Sequence, residues 1–381
     1  MRDASQIEVS VVIPCLNEAD TLEGCLERAK LGLQACGVTS EIIVADNSSV
    51  DGSAQIAEMN GAAVVSVEGS GYGSALMGGI AAARGRFIII ADADHSYDLT
   101  NIPRFVETLR GGADIAQGCR FPAGGGELKP GSMSLVRKKL GNPLFSLMVR
   151  KWFHVPIHDV NCGFRGFKRT VYDSLDMQCT GMEFAPEMIV KAGFLGARIE
   201  EIPITYHPDG RISHPSHNRA IRDGWRTLRF LLMYSPRWLF LIPGIAAVGL
   251  GIFIYAASIF GMLFQSRPIE IYVFATLLVL CGYQSILFAV FTKVFATQER
   301  LLAPDERFER LFDVINLERV LAVSFLTFLV GAVLFGVGVS GHGIRFLDPL
   351  GCTFLGASAI AMSFQTILSG FFLSILGLRR R

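Results

Sequence analysis

The stretch FIIIADAD, residues Phe87 to Asp94, decides how this 381-residue chain folds. Its apolar part, Phe87 to Ala91, is short and bounded by polar residues, which predicts a fully buried strand of a mostly parallel sheet. Two carboxylates, Asp92 and Asp94, follow the strand directly. Side chains two positions apart in extended chain point in a common direction, so both can face one ligand. Carboxylate oxygens suit Mg²⁺ or Mn²⁺, although aspartate is also a common cap and turn residue.

Four more apolar runs predict further strands, and the segments between them predict helices. The predicted strands are Val9 to Pro14, Glu41 to Ala45, Ala63 to Val67 and Ala113 to Gly118. The predicted helices are Ala19 to Gln34, Ser53 to Met59, Ser74 to Arg84 and Ile102 to Arg110. This alternation is typical of a Rossmann-like α/β domain, in which ligands bind at the carboxyl ends of the strands.

Polar side chains follow three of the predicted strands. They are Asn17 and Glu18 after the first strand, Asp46 and Asn47 after the second, and Asp92 and Asp94 after the fourth. Because the carboxyl ends of parallel strands meet at one edge of the sheet, we expect one ligand site there. The nearby Gly69, Gly71 and Gly73 permit either a flexible loop or a close approach of the backbone to a ligand.

The last third of the chain has a different composition. Hydrophobic residues make up 51% of the whole sequence, and a bilayer span needs about 20 of them in a row. Four uncharged stretches reach that length: Leu239 to Phe264, Ile271 to Thr292, Val320 to Ser340 and Pro349 to Leu378. The sequence therefore predicts an α/β domain over residues 1–218, a juxtamembrane segment over 219–238 and a four-helix membrane domain over 239–381.

The distribution of basic residues predicts the orientation in the membrane. They lie between the second and third spans and at the chain end, at Lys293, Arg300, Arg307, Arg310, Arg319 and Arg379 to Arg381. The positive-inside rule places both regions in the cytosol. The segment Met1 to Glu8 has no apolar core of a signal peptide, so we expect the α/β domain to be cytosolic in a multi-pass protein of the cell (inner or plasma) membrane.

Two amphipathic segments precede the first span. Leu135 to Val155 carries basic residues on both sides of an apolar centre that includes Phe145 and Trp152. In Arg219 to Trp238, arginines recur at spacings of three and four. Both patterns are typical of interfacial helices at the depth of the lipid headgroups, and also of solvated amphipathic helices.

The overall charge and the cysteines exclude some classes of protein. The formal net charge is only +1, so nucleic acid is not an expected partner. Eight cysteines form no CxxC pair, which favours a reducing compartment. The histidine pairs His154 with His158 and His214 with His217 lie beside prolines and lack the acidic or thiolate partners of a zinc site, so zinc binding is not predicted.

Six segments resemble, in order, the motifs of family-two glycosyltransferases of the GT-A fold. They are PCLNE (14–18), VADNSSVDGS (44–53), GSGYGSAL (69–76), DADHSYD (92–98), GCRF (118–121) and DVNCGFRGFKR (159–169). Within that family the chain resembles the polyprenyl-phosphate (dolichyl-phosphate) mannose and glucose synthases. The resemblance covers about Val9 to Trp238.

The resemblance implies roles for the matched residues. The nucleotide-sugar site would be lined by Pro14, Asn17, Glu18, Asp46 and Asp92. The matched segments place Asn47, Gly71 and Gly73 in the same site. Asp94, together with Asp92, would bind Mg²⁺ or Mn²⁺ at the diphosphate. Arg120 and Arg165 would contact the acceptor phosphate or the sugar diphosphate, and Arg137 would contact the acceptor phosphate. Asp159 matches an acidic position sometimes assigned as a base. The catalytic set is therefore Asp92, Asp94, Asp159 and Arg165.

Other positions leave alternatives open. Glu183 and Glu187, four residues apart, can line a sugar pocket, cap a helix or face solvent. Ser96 replaces a glutamine that often binds the metal in mannose synthases, and Tyr72 replaces a frequent lysine.

The resemblance implies transfer of one sugar, with inversion, from a nucleotide diphosphate sugar to a polyprenyl phosphate at the cytosolic face of the membrane. UDP-glucose is the first donor expected, with GDP-mannose or another hexose donor as the alternative. A processive polysaccharide synthase is a second interpretation, although Tyr234 stands where its QxxRW signature has glutamine. A non-catalytic protein that binds the lipid carrier is a third. Small residues such as Gly244 and Gly251 permit close helix packing and a homo-oligomer.

Overall fold

The computed structural model describes residues 7–213, 220–259, 268–298, 316–344 and 348–377. They form two compact units, which divide between Leu231 and Leu232. Several predicted features lie outside the described residues: Arg219, His214 and His217, the end of the first span at 260–264, Arg300, Arg307, Arg310 and Arg379 to Arg381.

The first unit is built on a mostly parallel sheet. Its strands are β1 (Val9–Cys15), β2 (Ser40–Asp46), β3 (Ala63–Ser66), β4 (Phe87–Ile90), β5 (Ile115–Cys119), β7 (Arg165–Lys168) and β8 (Ile199–Pro203), in the spatial order β3-β2-β1-β4-β7-β5-β8. Two further short strands, β6 (Glu127–Leu128) and β9 (Thr205–Tyr206), pair with each other in parallel. The predicted Rossmann-like α/β fold is confirmed. All four residues of β4 are buried, as its uninterrupted apolar sequence predicts.

One strand of the main sheet is antiparallel, and the sequence did not predict it. Strand β7 lies between β4 and β5 and runs antiparallel to both. It is only four residues long and is buried on both faces, so it has neither the length nor the alternation that marks a strand in a sequence. Gly166 lets it pack closely, because a Cβ there would lie 3.1 Å from Cδ1 of Leu109.

Four helices lie where the alternating pattern predicts them: α1 (Leu22–Cys36), α2 (Ser53–Met59), α3 (Tyr72–Ala82) and α4 (Ile102–Arg110). The helices that follow are α5 (Asn142–Phe153), α6 (Arg169–Leu175), α7 (Phe184–Phe194) and α8 (Ala220–Met233). Helices α2 and α4 have the predicted bounds. Helix α1 begins three residues later than predicted, because Asn17 adopts a left-handed conformation (φ 58°) and the chain turns at Glu18.

The second unit is helical. Its described helices are α9 (Ile242–Ile259), α10 (Pro268–Gln298), α11 (Leu317–Val339) and α12 (Pro349–Gly377). Four segments are long and apolar enough to cross a membrane: Arg237–Ser258, Ile269–Thr297, Leu317–Val339 and Pro349–Leu376. The prediction of four transmembrane helices is confirmed.

Glycines allow the helices of this unit to pack closely in pairs. A Cβ at Gly244 of α9 would lie 2.8 Å from the carbonyl oxygen of Gly282 in α10. A Cβ at Gly331 of α11 would lie 3.0 Å from the carbonyl oxygen of Gly356 in α12. These small residues therefore serve contacts within one chain, and the homo-oligomer stays a prediction.

Candidate active site

Asp92 and Asp94 lie at the carboxyl end of β4, where the sequence places them. The Tyr72 hydroxyl donates a hydrogen bond of 2.9 Å to Oδ1 of Asp92. Burial, and next the charge of Asp94, raise the pKa of Asp92 to about 7. Gly163 makes room for this carboxylate, since a Cβ there would lie 2.9 Å from its Oδ2. Asp92 is thus a half-buried carboxylate that a cation in the site would stabilise in its charged form.

Asp94 is 8% exposed and is held by its own loop and by a distant arginine. Its Oδ1 accepts hydrogen bonds from the Ser96 backbone N–H, at 3.0 Å, and from the Ser96 hydroxyl. Its Oδ2 lies 3.4 Å from Nη1 of Arg211. Ser96 therefore orients Asp94 directly.

Arg211 joins the ends of β1 and β4, and the sequence analysis missed it. Its guanidinium forms a two-pronged ion pair with Glu18, and its Nη1 also lies 2.6 Å from Oδ2 of Asp209. The side chain is 9% exposed, and the three carboxylates raise its pKa although burial opposes the charge. The carboxylates of Glu18, Asp94 and Asp209 thus share one guanidinium, which compensates only one of their three negative charges. The only signal in the sequence is a lone arginine after Asp209-Gly210.

The segment that carries Arg211 is bound along the ligand edge of the sheet. The N–H of His207 donates to the carbonyl of Ser96, and the N–H of Gly210 donates to that of Asp94, both at 2.9 Å. The N–H groups of Ile212 and Ser213 donate to Oδ2 of Asp20. We call residues 206–213 the strap. It covers Asp94 from one side.

The predicted residues after β1 and β2 hold the two loops together. The Asn17 side chain accepts a hydrogen bond of 2.9 Å from the N–H of Val50. Asp46 accepts from the N–H of Ser49. Asn47 donates to the carbonyls of Val67 and Gly69 and accepts from the N–H of Gly71. Pro14 lies within β1, opposite Ala45 of β2. The structure thus brings these residues to one edge, and their contact with a nucleotide stays a prediction.

Gly71 and Gly73 are required by protein packing. Gly71 has φ 125°, and a Cβ there would lie 2.4 Å from the carbonyl oxygen of Thr180. A Cβ at Gly73 would lie 2.2 Å from the carbonyl oxygen of Cys179. The close approach that the sequence indicated is therefore present, but its partner is the backbone of residues 179–181.

Arg120 and Asp159 form a buried ion pair. Nε of Arg120 lies 2.7 Å from Oδ2 of Asp159, and its Nη2 lies 2.9 Å from Oδ1. Asp159 is fully buried and Arg120 is 5% exposed. Burial alone would lower the pKa of Arg120, but Asp159 raises it well above its ordinary value. The guanidinium also lies over the Tyr206 ring, 4.9 Å from its centroid.

Arg165, the first residue of β7, is fully buried and donates to backbone carbonyls. Its Nη1 contacts the carbonyl of Ala185 at 2.9 Å, and its Nη2 contacts those of Val160 and Cys162 at 3.3 and 2.7 Å. Burial lowers its pKa, and its Nε has no hydrogen-bond partner among the described atoms. In this arrangement Arg165 supports the loop that carries Asp159, and its contact with the acceptor phosphate stays a prediction.

A cavity of about 510 Å³ opens beside these residues. Its lining combines carboxylates with arginines and polar groups, including Tyr72, Asp92, Asp94, Tyr97, Arg120, Arg137, Asn142, Asn161, Tyr206 and Asp209. Arg137 lies in the π-helical turn before α5 and has no ion-pair partner among the described residues. Arg137 and Arg120 thus bring positive charge to the same cavity as Asp92 and Asp94.

The two predicted sugar-pocket residues have different surroundings. Glu187 is fully buried, pairs with Lys191 at 2.8 Å and accepts from the N–H groups of Gln178 and Cys179. It therefore fixes the loop before α7. Glu183 is half-buried, and its Oε2 has no hydrogen-bond partner in the described part of the chain. Neither glutamate lines the cavity described above.

The residues present fit a divalent cation. Asp92 and Asp94 offer hard carboxylate oxygens, and burial together with the charge of Asp94 raises the pKa of Asp92, an effect that a bound cation would oppose. The described residues contain no group of three or more His, Cys, Asp or Glu side chains arranged around one metal position. Such a donor set suits Mg²⁺ or Mn²⁺ that is shared with phosphate oxygens of a substrate.

Comparison with known proteins places the chain in a family. Residues 10–176 match the model of glycosyl transferase family 2, and residues 290–377 match the family 2 C-terminal transmembrane region. The low-salt glycan biosynthesis hexosyltransferase of Haloferax volcanii is 33% identical over 97% of this chain and 89% of its own length.

Two relatives have names that include a polyprenyl phosphate. The undecaprenyl-phosphate 4-deoxy-4-formamido-L-arabinose transferase of Pseudomonas fluorescens is 27% identical over 66% of this chain and 73% of its own. The dolichol-phosphate mannosyltransferase of Pyrococcus furiosus is 28% identical over 52% of this chain and 56% of its own. The fold, the four transmembrane helices and these matches agree: the chain is a membrane glycosyltransferase and belongs to glycosyl transferase family 2.

Proposed function

We propose that this enzyme transfers one hexose from a nucleotide diphosphate sugar to a polyprenyl phosphate at the cytosolic face of the cell membrane. UDP-glucose is the first donor to test, and GDP-mannose is the second. The acceptor class is supported by the names of two relatives. The observation that carries the proposal is a single cavity that contains both the Asp92 and Asp94 carboxylates and the Arg120 and Arg137 guanidinium groups.

The reaction is a displacement at the anomeric carbon of the sugar. An oxygen of the lipid phosphate attacks this carbon, the bond to the nucleoside diphosphate breaks, and the electron pair leaves with the diphosphate. One direct displacement inverts the anomeric configuration. The second pKa of a phosphate monoester is about 6, so at neutral pH the acceptor is mostly a dianion and needs no strong base.

The charge of each assigned residue determines its proposed role. Arginine suits phosphate because its planar fork donates two parallel hydrogen bonds, and Arg120 and Arg137 would bind the acceptor in this way. Asp159 is fully paired with Arg120, so it would orient that guanidinium and would not remove a proton. Asp92 and Asp94 would hold Mg²⁺ or Mn²⁺, which stabilises the charge of the departing diphosphate.

The membrane location of the acceptor suits the surface around α5. Leu135, Val136 and Leu140 are 71%, 65% and 61% exposed, beside Lys138 and Lys139. Exposed apolar residues next to lysines are typical of a segment that enters the headgroup region. We propose that residues 135–155 and helix α8 lie at the cytosolic membrane surface, where a polyprenyl phosphate presents its charge.

The test is a donor panel with the full chain purified in detergent. Polyprenyl phosphate, Mg²⁺ or Mn²⁺ and one radiolabelled donor are mixed, and label is counted in the organic extract. We expect metal-dependent transfer from one donor and the loss of transfer in Asp94→Ala. The control is Asp173→Ala, which changes an exposed aspartate of α6 outside the cavity. Absence of transfer from every donor by a folded wild-type protein, or a polymeric product, would refute the proposal.

A further inference from the structure

Glu201 of β8 holds the loop that presents Asp159. Its Oε1 accepts hydrogen bonds from the backbone N–H groups of His158, at 2.7 Å, and Asp159, at 3.1 Å. Its Oε2 lies 2.6 Å from Nδ1 of His158. The Glu201 side chain is only 13% exposed. One carboxylate thus fixes two consecutive peptide groups and the side chain between them.

A second strand supports the same loop from the neighbouring position. Gln117 of β5 lies opposite Glu201 in the β5–β8 pair. Its Nε2 donates to the carbonyls of Asp159 and Cys162 at 3.1 and 3.2 Å. The two side chains therefore bind the N–H and the C=O of the same residue, Asp159. Its backbone is fixed on both sides by a rigid sheet.

The position of the Asp159 carboxylate determines that of the Arg120 guanidinium. Asp159 accepts from Nε, from Nη2 and from the backbone N–H of Arg120, at 2.7, 2.9 and 3.1 Å. This contact occupies one edge of the guanidinium and leaves Nη1 at 3.5 Å from the Tyr97 hydroxyl, which lines the cavity. A bidentate pair fixes the plane of both partners. A shift of the loop would therefore turn the donors of Arg120 within the cavity.

We propose that Glu201 is a positioning residue for recognition of the acceptor phosphate, acting through Asp159 on Arg120. The proposal rests on the proposed function, because it takes a lipid phosphate as the ligand of Arg120. Glu201 does not line the cavity and touches no reacting atom. Its removal therefore affects the acceptor and leaves the donor end of the cavity, at Asp92 and Asp94, unchanged.

The experiment compares Glu201→Ala and Glu201→Gln with Glu200→Ala in the full-length enzyme. Glu200 is the neighbouring residue of β8, and its carboxylate pairs at the surface with Arg198. Three quantities are measured: the KM for undecaprenyl phosphate, the KM for the nucleotide sugar, and the Kd of the free nucleotide diphosphate by calorimetry. The melting temperature of each variant is recorded beside them.

We expect Glu201→Ala to raise the KM for undecaprenyl phosphate about tenfold, which corresponds to about 1.4 kcal/mol. The KM for the donor and the Kd of the nucleotide should stay within twofold of wild type. Glu201→Gln keeps an oxygen for both N–H groups, so it should recover most of the acceptor affinity. Glu200→Ala should match wild type in all three quantities.

Two results would overturn the inference. One is an equal loss of donor and acceptor affinity in Glu201→Ala, which would indicate a general structural role. The other is an acceptor KM in Glu201→Ala equal to that of Glu200→Ala. Failure of the proposed function is distinct from both, because the wild-type enzyme would then show no transfer to undecaprenyl phosphate.

Discussion

Replacing Arg120 by alanine should destabilise the first unit strongly, apart from any effect on activity. Asp159 is fully buried, and Arg120 supplies the guanidinium that neutralises it. In Arg120→Ala the carboxylate would remain in the interior without a counter-charge. Removing one partner of a buried ion pair typically costs 3–5 kcal/mol, because an isolated charge is left in a poorly polarisable surrounding.

The loss of stability in Arg120→Ala corresponds to a lower melting temperature. In a domain of 150–250 residues, 1 kcal/mol shifts the melting temperature by about 2–4 °C. A loss of about 3 kcal/mol therefore lowers it by about 6–12 °C. In contrast, Arg198→Ala removes a surface pair with Glu200, whose side chains are 63% and 40% exposed, and should shift it by about 2 °C or less.

A thiol-reactive dye provides a suitable assay in detergent. Cys119 and Cys162 are fully buried and belong to the same part of the first unit as Arg120, so the dye reports its unfolding. The double variant Arg120→Ala with Asp159→Asn should melt above the single variant, because no buried charge remains. A single variant that melts within 2 °C of wild type, or at or above the melting temperature of the double variant, would refute the assignment of a stabilising buried pair.

Three further predictions concern pH, backbone packing and the membrane surface. The pKa of Asp92 is raised from 3.8 to about 7, so the contribution of Asp92 to the stability of the fold is full below about pH 4 and is lost as the pH rises through 7. In EDTA, the melting temperature of Asp92→Asn should therefore exceed that of wild type at pH 8 and equal it at pH 4. Gly73→Ala places a Cβ 2.2 Å from the Cys179 carbonyl oxygen and should lower stability by about 1–3 kcal/mol in thermal unfolding; an unchanged melting temperature would contradict the close contact. Changing Lys138 and Lys139 to glutamine in a peptide of residues 135–155, which lacks the membrane spans, should weaken its binding to anionic vesicles by about 1 kcal/mol per residue in a flotation assay. An equal loss on neutral vesicles would argue against headgroup contact.

The positions of the ligand-binding strand ends followed from the sequence, because they depend on local chemistry. An uninterrupted apolar run such as Phe87 to Ala91 is typical of a strand that is buried on both faces in a mostly parallel sheet, and the carboxyl ends of such strands form the ligand edge. Asp92 and Asp94 are found there. The four spans were predictable for a similar reason, since length and composition suffice to identify them.

Arg211 could not be predicted, because it acts over a long separation in sequence. It pairs with Glu18 across 193 residues, and only the path of the strap along the sheet edge brings them together. No motif or periodicity marks this path. For Arg165 the motif identified the residue but not its surroundings. Its burial and its hydrogen bonds to carbonyl groups depend on β7, a strand too short to recognise in the sequence.

Glycine illustrates the same distinction. The sequence left two interpretations of Gly71 and Gly73 open, a flexible loop and a close approach of the backbone to a ligand. The carbonyl groups of Cys179 and Thr180 occupy the space that a Cβ would take. A close approach is therefore predictable from the residue type, whereas its partner requires the fold.

The charges around the cavity also suggest an order of substrate binding. Asp159 already neutralises Arg120, and Arg211 is shared by Glu18, Asp94 and Asp209. Asp92 has no cationic partner among the described ion pairs, and it repels a phosphate dianion once it is charged. Until a donor with its divalent cation compensates these carboxylates, entry of the lipid phosphate toward Arg137 brings like charges together. We therefore expect the nucleotide sugar and its divalent cation to bind before the lipid phosphate, because the cation offsets the carboxylate charge that the acceptor would otherwise meet.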